Sequence, residues 1–276
     1  MKNENLHLPS QLDGKFWKYA SRGNEGRVFQ EHMHEELEVN IVTSGYANYL
    51  ILGKRYKMVP GTQVWLFPEH PHLLLEKSND FEMVIVVFKK KLLKRLVAQG
   101  ADRVLISKKY DQPFVKEHSE RERIELFKMC KMGIECDHDR ALYNSALAFT
   151  CLKAWELFKR GAQPNKQVNV SVDIQQCLKL IESTQFISLN SLAEKLKLSP
   201  SQLSRQFQAQ VGLKLSTYKQ NIYLERFMKM WTENCDLNFL QGALKAGFGS
   251  YAQFHRVFKE KYGCGPASYK REYIQT

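Results

Sequence analysis

The last third of the chain contains one two-helix pattern twice, between Ser188 and Arg271. Six positions of the first copy recur in the second, each 51 residues further along, as Arg205 and Arg256 do. Two copies are too few for a solenoid, in which longer arrays of units bury a continuous core. A helix pair with a short turn, present twice, predicts paired helix-turn-helix units. The recurring pairs are Leu203 and Phe254, Arg205 and Arg256, Phe207 and Phe258, Gly212 and Gly263, Tyr218 and Tyr269, and Lys219 and Lys270.

The first copy shows where its two helices begin and end. Apolar residues recur at helical spacing from Leu189 to Leu196, and after a break the same spacing resumes at Leu203. Ser199 is a favourable N-cap residue, and Pro200 suits the first turn of a helix. The second helix of this copy is therefore predicted to begin at these two residues.

The outward face of each second helix carries polar and cationic side chains, and in the first copy this face has no carboxylate. Such groups suit base edges and phosphates in the major groove of DNA. One isolated copy would equally fit the solvated face of a helical bundle, but two copies in register favour DNA. We expect Arg205 and Arg256 to make the main base or phosphate contacts. The predicted DNA-binding residues are Ser201, Gln202, Ser204, Arg205, Gln208, Tyr251, Gln253, His255, Arg256 and Lys259.

A single helix is predicted between the two copies. From Leu215 to Trp231 the apolar residues keep a helical period without Gly or Pro. A helix of that length spans on the order of 25 Å. It could hold two recognition helices near the ~34 Å separation of successive major grooves on one face of DNA.

This stretch resembles the DNA-binding domain of the AraC/XylS family of bacterial transcription regulators, over roughly the last hundred residues. The resemblance implies double-stranded DNA as a partner and activation of transcription, with RNA polymerase as a further partner. The matching residues are Leu192-Ala193-Glu194, Ser199 to Phe207, Gly212, Gly247-Phe248, Phe254 to Lys259, Gly263 and Pro266 to Lys270.

Two positions depart from the family pattern. Lys197 occupies a turn position that is often Gly, and Gly242 stands where a bulky aliphatic residue is usual. A Gly inside a helix costs about 1 kcal/mol relative to Ala. The second unit is therefore predicted to be less rigid, or to read DNA less stringently, than the first.

Composition agrees with a polyanionic partner and excludes several classes of protein. The formal net charge is +12 over 276 residues. The six cysteines have no paired short spacing, which argues against a zinc ribbon or a disulfide framework. No stretch approaches the ~20 apolar residues needed to cross a bilayer. We expect a cytoplasmic protein without a membrane partner. The cysteines are Cys130, Cys136, Cys151, Cys177, Cys235 and Cys264.

Between Arg27 and Phe88 the pattern changes to short alternating runs separated by Gly and Pro. Short strands at regular spacing indicate a sandwich or barrel. The stretch with Gly26, His32, His34, Glu38 and Gly45 resembles the first motif of the cupin barrel. The stretch from Phe67 to His72 resembles the second motif, in the form that AraC-type regulators carry.

The cupin resemblance leaves two interpretations of His32, His34, Glu38 and His72. In metallo-cupins these positions supply three imidazoles and a carboxylate to one divalent ion. The alternative is that they are polar residues of a ligand pocket, and we expect this one, with neither a metal nor a cofactor. The predicted pocket would bind a small molecule such as a sugar, although core packing explains each residue as well. Its predicted lining is His34, Glu38, Tyr49, Trp65, Phe67 and His72.

Helical periods return after Phe88, with a basic amphipathic helix and then two longer helices over 117–135 and 141–158. In AraC-like proteins such helices pack on the barrel and can form a dimer interface, so a homodimer is expected. A polar stretch without periodicity follows. The predicted fold is α+β in two domains. Residues 1–160 form a cupin-like barrel with packed helices, 161–171 a linker, and 172–276 an all-α domain with two helix-turn-helix units.

The predicted function is sequence-specific regulation of transcription in response to a small-molecule effector bound in the barrel, without enzymatic activity. Two alternatives remain open at this point. One is a metal-dependent cupin enzyme with an appended DNA-binding module, which would need an open coordination position on the metal. The other is a regulator whose barrel serves only dimerisation or the binding of a partner.

Overall fold

The computed structural model describes residues 2–21, 31–108, 110, 114–164, 167–234 and 237–273. The chain forms two compact units: the second takes in Gly53–Arg55 and the residues from Val168 onward, so the main boundary falls between Gln167 and Val168. The domain boundaries predicted at 160/161 and 171/172 lie on either side of that point. Gly26 of the predicted cupin motif and Cys235 lie outside the described residues.

The first unit is built mainly from short strands, many of them buried on both faces. Seven of them lie between residues 32 and 88. The strand over Gly14–Ala20 lies before the alternating runs that the sequence predicts from Arg27 onward. The strands are β1 (Lys2–Asn3), β2 (Gly14–Ala20), β3 (His32–Met33), β4 (Leu37–Ser44), β5 (Ala47–Ile51), β6 (Lys54–Met58), β7 (Thr62–Leu66), β8 (His72–Lys77), β9 (Glu82–Phe88), β10 (Val115–Glu117) and β11 (Gln167–Asn169).

Two sheets face each other across the interior of this unit. One has the order β10-β7-β4-β9-β2, and its neighbouring strands are antiparallel. The other contains β1-β3-β8-β5-β6 in that order. The side-chain amide of Asn40 on β4 lies 3.5 Å from the hydroxyl of Tyr49 on β5 and so joins the two sheets across the interior. This is the sheet-rich, cupin-like architecture that the sequence predicts.

The opposite face of the β4 sheet is covered by helices. These are α1 (Lys90–Ala98), a short 3-10 helix (Arg103–Ile106), α2 (Glu120–Glu135) and α3 (Arg140–Arg160). The core between sheet and helices has Trp65 at its centre, with its ring packed against Phe88, Trp155 and Phe158.

Helix α2 begins three residues later than the helical period predicts. Residues 115–117 belong to β10, and Ser119 then caps the helix. The Ser119 hydroxyl accepts a hydrogen bond from the Glu122 backbone, and the Glu122 carboxylate accepts one from the Ser119 backbone. This capping box fixes the start of the helix at Glu120.

Apart from Gly53–Arg55 and the end of β11, the described part of the second unit is helical. Its apolar core surrounds Phe227 and Trp231, which pack against Phe239, Phe254 and Phe258. No helix in the described part of the chain is both long enough and apolar enough to cross a membrane. The helices are α4 (Val172–Ser183), α5 (Leu189–Lys195), α6 (Pro200–Val211), α7 (Leu215–Glu233), α8 (Phe239–Ala246), α9 (Tyr251–Tyr262) and α10 (Pro266–Tyr273).

Candidate functional sites

The first helix-turn-helix unit consists of α5 and α6. The hydroxyl of Ser199 accepts a hydrogen bond from the Gln202 backbone at 3.2 Å, and Oε1 of Gln202 accepts one from the Ser199 backbone at 3.0 Å. Two N–H groups that the helix cannot satisfy itself are thereby paired. Helix α6 ends at Gly212, whose φ of 89° is a left-handed conformation that glycine adopts without strain.

The second helix-turn-helix unit, formed by α8 and α9, repeats this cap with one difference. The hydroxyl of Ser250 accepts from the Gln253 backbone at 3.2 Å, as in the first copy. Oε1 of Gln253, however, accepts from the backbone of Gly249, at 3.0 Å, and not from that of the N-cap residue. The cap of α9 thus reaches one residue further back than the cap of α6.

The turn of the second unit is one residue longer than the turn of the first. At the end of α5 the Leu198 N–H bonds the carbonyl of Ala193 at 2.9 Å, and at the end of α8 the Phe248 N–H bonds that of Ala243 at 3.0 Å. These residues are 50 positions apart, whereas the helices that follow match at 51. The added residue is Gly249.

The structure keeps most of the predicted DNA contacts on the outside of α6 and α9. Ser204, Gln253 and His255 are half-buried. His255 leans over the turn before α10, since a Cβ atom at Gly265 would lie 2.9 Å from its ring. The exposed members of the set are Ser201, Gln202, Arg205, Gln208, Tyr251, Arg256 and Lys259.

Arg205 and Arg256 occupy equivalent, exposed positions on α6 and α9. Among the described residues, no carboxylate lies within ion-pairing distance of either guanidinium. A free guanidinium offers five N–H donors in a planar fork that suits guanine edges and phosphates. Gln202 and Gln253 differ from them, because their side-chain oxygens already accept hydrogen bonds at the helix N-termini.

Helix α7 carries an arginine, Arg226, whose structural role the sequence pattern does not predict. The guanidinium of Arg226 donates to the carbonyl oxygens of Ile181, Glu182, Thr184 and Gln185, at distances of 2.7 to 3.0 Å. These carbonyls lie at and just beyond the C-terminal end of α4, where a helix leaves its last carbonyl groups unpaired. The side chain of Gln185 in turn donates to the carbonyl of Lys245 in α8. Arg226 therefore ties α7 to the segment after α4, and this segment also bonds the second helix-turn-helix unit.

Gly242 lies at a close approach inside the second unit. A Cβ atom there would be 2.7 Å from the Leu237 side chain and 2.9 Å from the ring of Phe227. These two side chains occupy the space where the family usually has an aliphatic residue. The helix is thus closely packed at Gly242, and this packing argues against the less rigid second helix-turn-helix unit that the sequence predicts.

A buried polar network occupies the interior of the first of the two compact units, the sheet-rich one. Nε2 of His34 lies 3.1 Å from the carboxylate of Glu38, and Asn40 donates to the other Glu38 oxygen at 2.8 Å. The ring of His72 is 5.3 Å from that of His34 and 5.9 Å from that of Tyr49. Asn40 was missed from sequence, although a polar residue inside an apolar strand is the signal for it.

The network holds one ion pair and one neutral imidazole. Burial opposes the charge on His34, but the hydrogen bond and charge of Glu38 outweigh it and raise the pKa of His34. Burial likewise opposes the charge on Glu38, yet His34 lowers the pKa of this carboxyl to about 2. Burial, together with the charge of His32, lowers the pKa of His72 to about 3, so this ring is neutral at pH 7.

Three of the four candidate metal ligands come together. One potential ligand atom each from His34, Glu38 and His72 lies within 4.8 Å of the others, in a buried position. His32 packs edge-on against His72 with ring centroids 4.2 Å apart, but its Nε2 faces Glu4 at 3.4 Å. Three ligands could hold a divalent ion. In the absence of a metal ion, His34 and Glu38 form an ion pair with each other.

Trp65 and Phe67 do not line this interior, contrary to the predicted pocket. Residue Glu38 pairs with Leu66 across the β4–β7 ladder, whereas Val39 pairs with Trp65. Because side chains alternate along a strand, Trp65 and Phe67 lie on the face opposite Glu38. Both rings pack against Trp155 of α3. The structure thus brings together only His34, Glu38, Tyr49 and His72 of the predicted lining.

Each of the two compact units matches a known protein family. The Helix-turn-helix domain family matches residues 192–272, and the AraC-like ligand binding domain family matches residues 19–118. A ligand-binding domain followed by a helix-turn-helix domain defines a class of DNA-binding protein rather than of enzyme. The chain belongs to the AraC family of transcription regulators.

Among the relatives is the HTH-type transcriptional regulator MtrA of Neisseria gonorrhoeae, 29% identical over 85 residues. The match spans 31% of this chain and 28% of MtrA. ToxT from Vibrio cholerae, in a crystal structure at 1.65 Å resolution, is similar over 93% of this chain and 96% of its own, with 12% identity and a TM-score of 0.34. The C-terminal domain of AraT, a response regulator from Geobacillus stearothermophilus, covers 38% of this chain and 89% of its own, with 24% identity and a TM-score of 0.35.

Proposed function

We propose that the protein is a sequence-specific DNA-binding regulator of transcription that responds to a small molecule bound by its first unit. The observation that carries the proposal is the pair of exposed arginines, Arg205 and Arg256, at equivalent positions on two capped helices. Each base contact by an arginine is worth roughly 1 to 3 kcal/mol of discrimination. The remaining residues on these faces would contact phosphates and hold the helices in register.

The test is genome-wide DNA occupancy of the wild-type protein, Arg205→Ala and Arg256→Ala. We expect each substitution to lower occupancy of a shared set of sites. The matched control is Arg121→Ala, because Arg121 is equally exposed but lies on α2. Unchanged occupancy in both helix variants would refute DNA reading by these helices, and an equal loss in the control would reduce it to a general effect of charge.

We further propose that the regulator acts as an activator in the cytoplasm, with RNA polymerase as its partner, as the family resemblance implies. Binding of the effector would favour one of two states that differ in affinity for DNA or for polymerase. A reporter gene downstream of an occupied site tests this. Expression that rises when the regulator gene is deleted would mean repression instead.

The chain offers a surface for the predicted homodimer. Helix α3 exposes Leu142, Phe149 and Leu152, and Phe149 is 61% exposed. Helix α2, which precedes it in sequence, exposes Phe127 and Met132. Exposed apolar groups of this kind are typical of protein interfaces. Sedimentation of wild type, Phe149→Glu and Lys94→Glu tests the proposal, with Lys94 as an exposed control position on α1. A dimer that survives Phe149→Glu would exclude this surface.

A sugar effector loses its support. The two aromatic rings that would have stacked on it, Trp65 and Phe67, face α3, and the two carboxylate oxygens of Glu38 already pair with His34 and Asn40.

A further inference from the structure

A cavity of about 430 Å³ lies in the first unit beside the His34–Glu38 ion pair. It is bounded by residues 33–37, by residues 68–69 after β7, by the start of α1 and by the 3-10 helix. Its volume suits a small metabolite. His34 belongs both to the wall of this cavity and to the buried network of the barrel.

The charges around the cavity are divided between two walls. Glu35, Glu36 and Glu69 come from the strand side, and Lys90 and Lys108 come from the helix side. Glu36 is the most enclosed of the three carboxylates, because its side chain is 25% exposed whereas Glu35 and Glu69 are exposed residues. Glu69 and Lys108 approach each other at 3.5 Å where the two walls meet.

Backbone groups add to the positive wall. Helix α1 begins without a side-chain cap and without an acidic residue in its first turn, although its N-terminal N–H groups favour an anion. Lys89 also lines the cavity, but its amine already bonds the carbonyls of Pro9 and Ser10. Lys90 is exposed and has no ion-pair partner among the described residues.

Most of the remaining lining is apolar. Leu93 and Leu105 are buried, and Ile106 is half-buried beside them. A ligand that fits all three parts has a positive group, a negative group and an apolar body. Glu36 already lies 3.8 Å from Nδ1 of His34, and Glu69 approaches Lys108, so Glu35 and Lys90 are the exposed lining charges without a partner among the described residues. A neutral ligand would leave these two charges unpaired, and a simple anion would place its charge against the acidic wall.

We infer that this cavity binds a zwitterionic metabolite with an apolar body, of the class of free amino acids and short peptides, and that this molecule is the effector. The identity as effector rests on the proposed function. The ammonium group faces Glu36, the carboxylate faces Lys90 and the first turn of α1, and the side chain packs on Leu93 and Leu105. His34, which borders both the cavity and the buried network, connects the bound molecule to the barrel interior.

The experiment is calorimetric titration of the full chain with L-leucine and L-leucyl-L-leucine. The controls are 4-methylpentanoate, which lacks the amine of leucine, and 3-methylbutylamine, which lacks its carboxylate. Because a charged hydrogen bond is lost with each group, we expect at least one zwitterion to bind roughly tenfold or more tightly than either control.

Variants of the two walls complete the test. Glu36→Gln and Lys90→Gln should each weaken binding of the zwitterion by roughly tenfold, whereas Lys128→Gln, an exposed lysine on α2, should not change it. The inference is overturned if neither zwitterion binds or if 4-methylpentanoate binds as tightly. Occupancy of DNA by the ligand-free protein is measured separately, so either result leaves the DNA-binding proposal standing or falling by itself.

Discussion

The two helix-turn-helix units present equivalent recognition helices but differ in their turns and in the packing of their cores. In the first, the turn passes through Lys197, a non-glycine residue with a φ of 54°, and Leu192 fills the core. In the second, the turn passes through Gly247 with a φ of 114°, and Gly242 stands where Leu192 would be. Side chains from elsewhere, Leu237 and Phe227, replace the missing volume.

The difference shows which features a repeat must keep and which it can exchange. Both copies keep a serine at the N-cap, a glutamine that closes the cap and an arginine one turn further on. These residues set where the helix starts and what it presents. Turn length and core filling vary, because neighbouring elements can compensate for them. Four tests probe this division, from the largest expected effect to the smallest.

Gly247→Ala should disrupt the turn of the second helix-turn-helix unit, whereas the equivalent position of the first unit, Lys197, already carries a side chain. The new Cβ would lie 2.4 Å from the carbonyl oxygen of Gln185 and 2.8 Å from the ring of Tyr223, at a φ that side chains avoid. We expect the free energy of unfolding to fall by about 3 kcal/mol. Urea denaturation measures it, with Lys197→Ala as the control at the equivalent position. Equal, small losses at both sites would show that the turns are interchangeable.

Gly242→Leu tests whether the core of the second unit is already full. The added side chain has to displace Leu237 and Phe227, so we expect a loss of about 2 kcal/mol in the free energy of unfolding. Leu240→Ala, an exposed position in the same helix, is the control and should change little. A more stable Gly242→Leu protein would restore the expectation of a loosely packed second unit.

Ser199→Ala and Ser250→Ala should have equal effects. Each removes the hydroxyl that accepts a backbone hydrogen bond at a helix start, which is worth about 1 kcal/mol. Thermal unfolding of the two variants, beside Ser216→Ala in the exposed first turn of α7, gives the comparison. A loss confined to Ser199→Ala would mean that the longer second turn had taken over the role of the cap.

Lys197→Gly should stabilise the first unit slightly. Lys197 adopts a left-handed conformation that favours glycine, so we expect a gain of about 0.5 kcal/mol after the greater flexibility of unfolded glycine is counted. Differential scanning calorimetry can detect it as a higher midpoint. A lower midpoint would show that the lysine side chain makes a stabilising contact at this turn.

The sequence was sufficient for patterns that repeat along the chain. The spacing of Arg205 and Arg256, the cap at Ser199 and the alternation from β4 onward follow from local chemistry and periodicity. What could not be predicted depends on pairing between distant segments. Trp65 and Glu38 fall on opposite faces because of the β4–β7 register, which no local pattern reveals.

The other site residues depend on signals of both kinds. Gln202 stays a predicted DNA contact, and its second role as part of a cap follows from a local pattern, a serine followed three residues later by a glutamine. The function of Arg226 depends on where the end of α4 lies in space. The charged cavity draws on four separated segments, and only the folded chain brings Glu36 and Lys90 to one place.

The four hydrogen bonds of Arg226 have a consequence for the DNA that this protein can recognise. They fasten α7 to the segment that also bonds α8, so α6 and α9 belong to one internally braced body. One additional base pair between two half-sites shifts the second by about 3.4 Å along the axis and turns it by roughly 35°. A DNA-binding domain whose two recognition helices are held together in this way cannot follow that displacement. Its operators should therefore have a fixed spacer, and single-base insertions there should abolish recognition as effectively as mutation of the contacted bases.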